Sequence, residues 1–473
     1  MPTTLYWHDY ETTSADPART RPSQFAGVRT DTDLNVIGEP LMIYCQPSRD
    51  LLPAPGACLV TGITPQQAEK EGVTEPEFIA RIHRELSQPG TCGVGYNSIR
   101  FDDEVTRYTL YRNFFDPYER EWKNGNSRWD IIDMFRLARA LRPDGINWPD
   151  YDDGSPCFKL EELTKANRLS HESAHDALSD VYATIAMAKL LKDKQPKLYQ
   201  YLFDNRTKQQ VGKNIDLVNR RPFLHLSSRL PRENAYLGLM MPLAVNPSNK
   251  NEIVCANLNG DIEPLFALDA EQIRERLYTR TEDLPEGEQR IPLKGVHLNR
   301  SPVVATAKLL DEASAERHGI DLPHCRRNWQ RLRDAQLADK LTQVYSARRE
   351  WTDTNPETSL YNGFLPNQDK TLLAEVRNSS PEELADDSIQ FSDPRYRELL
   401  FRYRARNFPD TLSAEEQHQW EELRFAHLND PESGYLTLDA YFEDIEKRLA
   451  EPDCSERDRK ILQALRDWGD EIL

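Results

Sequence analysis

A chain of 473 residues is too long for one ordinary hydrophobic core and predicts two to four domains. Its 38% hydrophobic and 29% charged residues describe a soluble globular protein, and its most apolar run, residues 235–245, is too short for a membrane span and contains Pro242. A formal net charge of −18 excludes a protein that coats polyanions along its whole surface, so any nucleic-acid contact has to be local.

From the N-terminus, Met1-Pro2-Thr3-Thr4 lacks the basic start and apolar core of a signal peptide, which predicts a cytoplasmic protein. Residues 5–12 read as a strand, and its period of two puts Asp9 and Glu11 on one face. Further strands are predicted at 24–30 and 40–46, joined by a turn around Asp33-Leu34-Asn35. Thr64 followed by Pro65 marks a helix start, with Thr64 as N-cap. A helix at 76–86, a buried strand at 92–96 and a helix at 102–112 follow. The last helix of this α/β region covers about 177–192, with Ala177, Val181, Thr184, Ile185 and Ala188 on one face.

From about residue 196 the pattern changes to short apolar runs, 223–226, 235–243 and 253–258, set between Pro, Asn and Gly turns. This predicts a small β-rich domain with helices at 269–278 and 326–345. Beyond residue 351 the chain reads as helical. Ser380 with Glu383 and Ser413 with Glu416 have the form of capping boxes, and Pro394, Pro409, Pro431 and Pro452 punctuate the helices. The seven cysteines are widely spaced without a Cys-x-x-Cys pair, as expected of reduced structural thiols.

Three acidic clusters in the first 180 residues carry the chemistry: Asp9-Tyr10-Glu11, Asn97 to Asp102, and His175 to Asp180. Hard carboxylate oxygens from one strand and two distant segments suit Mg²⁺, which prefers carboxylates, waters and phosphate oxygens. Asp103 and Glu104 compete with Asp102 as ligands, and Asp176 competes with Asp180 unless it caps the helix. In their order and setting the clusters resemble the three exonuclease motifs of the DEDDh family. The stretches 6–12, 22–31, 95–117 and 174–189 resemble the bacterial exonuclease I family more narrowly, and the similarity extends along the whole chain.

That resemblance implies a ribonuclease-H-like α/β exonuclease domain over 1–195, an SH3-like β-rich domain over 196–350 and an α-helical C-terminal domain over 351–473. It implies 3′-to-5′ processive degradation of single-stranded DNA to 5′-mononucleotides, in repair and recombination, with two Mg²⁺ ions per site and Mn²⁺ as a substitute. Asp9, Glu11 and Asp180 are the implied ligands of the ion carrying the attacking water, Asp102 helps organise the second ion, and His175 is the implied general base. It also implies a monomer that contacts single-stranded-DNA-binding protein, with Arg142 and Tyr201 as candidates for that contact.

Single-strand binding needs flat side chains for bases and cations for phosphates. Near the motifs the candidates are Arg107, Tyr118, Trp122 and Lys159, with Glu11 also facing the substrate. Arg206, Lys208, Lys213, Arg220, Arg221, Arg229 and Arg232 form a basic run interrupted by one acidic residue, Asp216. Arg395, Arg397, Arg402, Arg404 and Arg406, interleaved with Tyr396, Phe401 and Tyr403, make a second candidate patch. Two other readings stay open at this point, a DEDDh exoribonuclease with the same five site residues and a noncatalytic single-strand binder.

Overall fold

The computed structural model describes residues 3–170, 176–346, 354–386 and 388–472. Its two compact units do not follow chain order: Met1–Ser127, Ser170–Ile185 and Trp351–Leu473 form the first, and Arg128–Leu169 with Ala186–Glu350 form the second.

In the first unit, strand β1 (Thr4–Thr12) lies between β2 (Pro22–Thr30) and β4 (Thr91–Gly95), and β3 (Leu41–Tyr44) lies outside β2. β1 is antiparallel to β2, with Asp9 opposite Ala26 and Glu11 opposite Gln24. It is parallel to β4, whose pairing ends at Trp7 opposite Val94. Asp9 and Glu11 therefore lie beyond the carboxyl end of the parallel pair, where ligand sites of such sheets gather. Below this rim, Tyr6, Tyr10 and Phe25 pack with Phe78, Ile79, Ile82 and Leu86 of helix Glu75–Leu86 and with Val105 and Leu110 of helix Asp102–Arg112.

Helix Asp102–Arg112 is buried on more than one face, which explains its weak amphipathic pattern. Tyr108, Tyr111 and the following Phe114 pack against Leu360, Leu373, Val376, Tyr396, Leu399 and Tyr403 near the C-terminus. Helix Pro55–Thr61 contributes Cys58 to another shared core, with Tyr441, Ile445, Leu462, Leu465 and Trp468. The sequence reading omitted this short helix, although Pro55 at its first turn and left-handed Gly62 at its end are its punctuation marks. The predicted caps at Thr64, Ser380 and Ser413 are formed, the last two as full capping boxes.

The C-terminal basic and aromatic stretch is largely interior, which corrects its reading as a DNA patch. Tyr396 and Tyr403 are core residues. Arg404 pairs with Glu416 at 2.6 Å, Arg402 with Glu398 at 2.9 Å, Arg395 with Asp393 at 2.7 Å and Arg406 with Asp50 at 2.7 Å.

β5 (Ser127–Asp130) carries the chain toward the second unit. That unit holds an antiparallel sheet ordered β10-β6-β7-β8-β9, from β6 (Phe223–Leu226), β7 (Leu237–Asn246), β8 (Asn249–Asn257), β9 (Leu293–His297) and β10 (Val303–Thr306). Val211, Phe223, Met240, Ile253, Cys255, Val296 and Val304 fill its core. The helix expected over 326–345 is two helices, Leu322–Arg333 and Ala338–Tyr345. Arg220 explains the break: its guanidinium donates to the carbonyls of Leu332, Arg333 and Ala335 at 2.9, 3.0 and 2.9 Å, satisfying groups that a continuous helix would have bonded itself. All seven cysteines are free thiols. Among the described residues no helix is long and apolar enough to cross a membrane.

Candidate active site and metal centre

Asp9, Glu11 and Asp180 bring one carboxylate oxygen each within 4.8 Å of one another, and no other group of three metal-ligating side chains does so among the described residues. The first two project from β1. Asp180 lies in the first turn of helix Ala177–Lys194, where Asp176 caps the chain: its carboxylate accepts the Ser179 N–H at 3.2 Å and its carbonyl accepts the Asp180 N–H at 3.0 Å. Of the two competing carboxylates, the geometry brings Asp180 within reach of Asp9 and Glu11. Asp176 serves the backbone, and Asp180 reaches the cluster.

Asp102 joins the cluster from the next element. After β4 the chain turns at left-handed Asn97 through a short 3₁₀ turn into helix Asp102–Arg112. The Tyr10 N–H, beyond the end of the β4 ladder, donates to Asp102 Oδ1 at 3.2 Å. This bond fixes Asp102 against the strand between Asp9 and Glu11. Its neighbours are engaged elsewhere: Asp103 forms a buried pair with Arg120 at 2.5 Å, and Glu104 binds Arg107 at 2.8 Å and the Tyr361 hydroxyl.

The electrostatics bear on what the cluster can hold. Burial, then the charges of Asp102, Glu11 and Asp180, hold the Asp9 carboxyl well above the usual carboxylate range. Burial and the neighbouring Asp180, Asp102 and Asp176 push Glu11 up to about 8. Converging carboxylates that repel one another need a cation before all can ionise. An all-oxygen donor set of this charge fits a hard divalent ion of the Mg²⁺ or Mn²⁺ kind better than a soft one. His175 lies outside the described residues.

The candidate substrate residues divide into distinct environments. Trp122 is 64% exposed and Tyr118 is half-buried, with the Arg107 guanidinium 5.3 Å from the Tyr118 ring centre. Arg107 itself is buried, its donors taken by Glu121 at 2.7 and 2.8 Å, Glu104 at 2.8 Å and Tyr361 at 2.9 Å. In the second unit, Lys159 precedes helix Leu160–Ala166 with its ammonium 3.9 Å from Glu161. There too, Tyr201 donates to the Val304 carbonyl at 2.9 Å, and Arg142 ends helix Ile132–Leu141.

Tyr361 and Phe364 lie beside these rings. Tyr361 packs edge-on to Tyr108, and Phe364, 87% exposed, packs edge-on to Tyr118. The Tyr361-Asn362-Gly363-Phe364 turn is their one local signal.

Three family models match: an exonuclease model over residues 6–188, the exonuclease I SH3-like domain over 206–347 and the exonuclease I C-terminal domain over 354–472. Exodeoxyribonuclease I of Haemophilus influenzae is 46% identical over 99% of this chain and 98% of its own, and that of Escherichia coli is 44% identical over the same shares. Exonuclease I from Methylocaldum szegediense has a TM-score of 0.95 at 50% identity, covering 99% of both chains. E. coli exonuclease I in complex with a dA16 oligonucleotide has a TM-score of 0.95 at 44% identity, covering 100% of both. Further structures include a zinc-bound form of the E. coli complex with single-stranded DNA and an SSB/exonuclease I structure with the inhibitor CFAM. With its full length matched by these relatives and its three regions by the three models, the chain belongs to the exonuclease I family of nuclease hydrolases.

Proposed function

We propose that the carboxylate cluster is the catalytic centre of a 3′-to-5′ exodeoxyribonuclease that degrades single-stranded DNA processively to 5′-mononucleotides by two-metal hydrolysis. The observation that carries this reading is the convergence of Asp9, Glu11 and Asp180 on one point, with Asp102 held beside them. Asp9, Glu11 and Asp180 hold one divalent ion and Asp102 shares in a second, Mg²⁺ being the cofactor and Mn²⁺ its substitute. When bound, such ions offset charge on the phosphate oxygens and lower the pKa of the attacking water. His175 takes that water's proton on an imidazole nitrogen, since imidazole titrates near neutral pH.

Glu11 also faces the terminal nucleotide. Trp122 and Tyr118 offer ring faces to bases, Arg107 braces Tyr118, and Lys159 holds a phosphate. The segments 1–195, 196–350 and 351–473 act as nuclease, SH3-like and helical domains, a division supported by the three matched ranges. The SSB/exonuclease I structure supports a single-stranded-DNA-binding protein as partner; Arg142 and Tyr201 are our candidates for that contact. The same reading makes the protein a cytoplasmic monomer in repair and recombination.

Digesting end-labelled single-stranded DNA, duplex DNA and RNA side by side, with and without EDTA, tests the proposal. The expected result is 5′-mononucleotide release from single-stranded DNA that EDTA abolishes. Equal digestion of RNA would make it an exoribonuclease as well, and binding without release would leave a noncatalytic single-strand binder.

A further inference from the structure

We infer that Gln24 is a positioning residue for the metal centre: its side-chain amide holds the helix bearing Asp180 at the distance from β1 that lets three carboxylates share one ion. This rests on the proposed site and extends it to a residue outside the acidic motifs.

Gln24 lies on β2 opposite Glu11 and is 1% exposed. Its Oε1 accepts the Ala177 N–H at 3.1 Å, and its Nε2 donates to Asp176 Oδ1 at 3.4 Å. These are adjacent residues at the entrance of helix Ala177–Lys194, and Ala177 is fully buried. The other Asp176 carboxylate oxygen and its carbonyl then hold the Ser179 and Asp180 amides. A continuous path thus runs from the strand position facing Glu11, through the Gln24 amide and Asp176, to the backbone of Asp180. The amide suits this place for two reasons. It supplies an acceptor to Ala177 and a donor to Asp176, the same Nε2 also reaching the Met42 sulfur at 3.7 Å, and it carries no charge into a cluster already rich in carboxylates. It also keeps Asp176 turned to the helix start, so that this carboxylate does not compete for the ion. Outer partners of metal ligands fix ligand orientation, and their loss costs about 10- to 100-fold in metal affinity or activity.

The test reverses the hydrogen bond. Gln24→Glu keeps the acceptor for Ala177 but sets a carboxylate against Asp176, whereas Asp176→Asn in the same chain restores a donor to the new Glu. Mn²⁺ dissociation constants, read by electron paramagnetic resonance, and kcat and KM on a short oligonucleotide are measured for full-length proteins. In Q24E the Mn²⁺ constant should rise about 10-fold and kcat fall by a similar factor with KM little changed; in Q24E/D176N both should return to within about threefold of wild type. If Q24E does not fold, Gln24→Met removes both hydrogen bonds without adding charge and should weaken Mn²⁺ in the same direction. An unchanged Mn²⁺ constant in a folded Gln24 variant, or a Q24E defect that D176N leaves unrepaired, would overturn the inference. Asp180→Asn is the control: if it binds Mn²⁺ and turns over normally, the site reading itself fails, whereas loss in D180N beside a neutral Q24E removes only the role of Gln24.

Discussion

The first unit holds two groups of carboxylates, one partly and one fully buried, and they are opposites in charge balance. At the rim of β1, Asp9 and Glu11 meet Asp102 and Asp180, and burial together with repulsion from these neighbours raises the pKa values of Asp9 and Glu11. In the second group, burial alone would also raise Asp50 and Glu357, yet arginines hold both well below the carboxylate range. Arg406 binds Asp50 at 2.7 Å and also pairs with Glu357, Arg21 binds Glu357 at 2.9 Å, and His427 lies 3.2 Å from Asp50. Glu75, paired with Arg112 at 2.5 Å, is lowered in the same way. A buried carboxylate has to be neutralised, and the source of the positive charge separates the two roles. At Asp50 and Glu357 the chain supplies it; for Asp9 and Glu11 the proposed metal site assigns it to a bound cation.

The largest expected effect separates them by activity. Asp9→Asn or Asp180→Asn should reduce turnover by orders of magnitude while leaving single-strand binding largely intact, because an amide is a poor replacement for a hard anionic ligand. Neither variant should lose thermal stability in EDTA, since each replaces one member of a crowded carboxylate cluster with a neutral amide. Near-normal nucleotide release by purified D9N or D180N would break the comparison at its first term.

The converse is Glu357→Ala. Removing one partner of a buried ion network leaves the arginines unpaired and should cost about 3–5 kcal/mol in stability. Urea denaturation should show a lowered midpoint, with kcat retained in the fraction that stays folded. A midpoint within error of wild type would mean that solvent reaches Arg21 and Arg406 and that the network is not structural.

These two groups also mark how far the sequence could be read. Asp9 and Glu11 share a face because strand period aligns them, and Asp180 stands out because the stretch from His175 to Asp180 resembles the third exonuclease motif. The choice among Asp102, Asp103 and Glu104 was not settled by residue chemistry, since adjacent carboxylates in one helical turn look alike until Arg120 is seen on Asp103. The neutralised group had no signature at all: Arg21 and Glu357 are separated by 336 positions, and Arg406 and Asp50 by 356. The same distance in sequence hid the cores shared by Tyr108, Tyr111 and Phe114 with the C-terminal helices. A fragment ending near residue 195, the exonuclease domain that the resemblance implies, would expose those rings and deprive Arg21 of Glu357 and Asp50 of Arg406 and His427. Gln24 was invisible for a related reason, because its hydrogen-bond partners, Asp176 and Ala177, lie 152 and 153 positions away.

A smaller effect comes from adding the cation. At about 100 times its dissociation constant a ligand that binds only the folded state stabilises by about 2.7 kcal/mol. Mg²⁺ or Mn²⁺ should therefore raise the melting temperature of wild type over that in EDTA, and the rise should be missing in D180N. An equal rise in both would assign the stabilisation to ions bound elsewhere.

The smallest effect is the sharpest comparison, because the two groups should give stability slopes of opposite sign in metal-free protein. Glu11 has a folded pKa near 8, above its unfolded value, so between the unfolded value and about 8 the folded state binds the extra proton. Stability from that group is complete at the acid end and declines as pH rises through this window. Asp50, Glu75 and Glu357 have depressed folded pKa values, so the unfolded state takes up protons first as pH falls. Their contribution is complete above the unfolded carboxylate range and is lost on acidification through the folded values. Stability in EDTA should accordingly peak in mildly acidic solution, each limb bounded by about 1.4 kcal/mol per pH unit for each proton exchanged. Urea midpoints measured from pH 3 to 9 on wild type, Glu11→Gln and Glu357→Gln resolve the limbs: E11Q should flatten the alkaline one, E357Q should flatten the acid one, and saturating Mg²⁺ should mimic E11Q by keeping the carboxylates ionised. If E11Q left the alkaline slope intact, the rim carboxylates would be ionised without a cation, and charge balance would no longer distinguish the two groups.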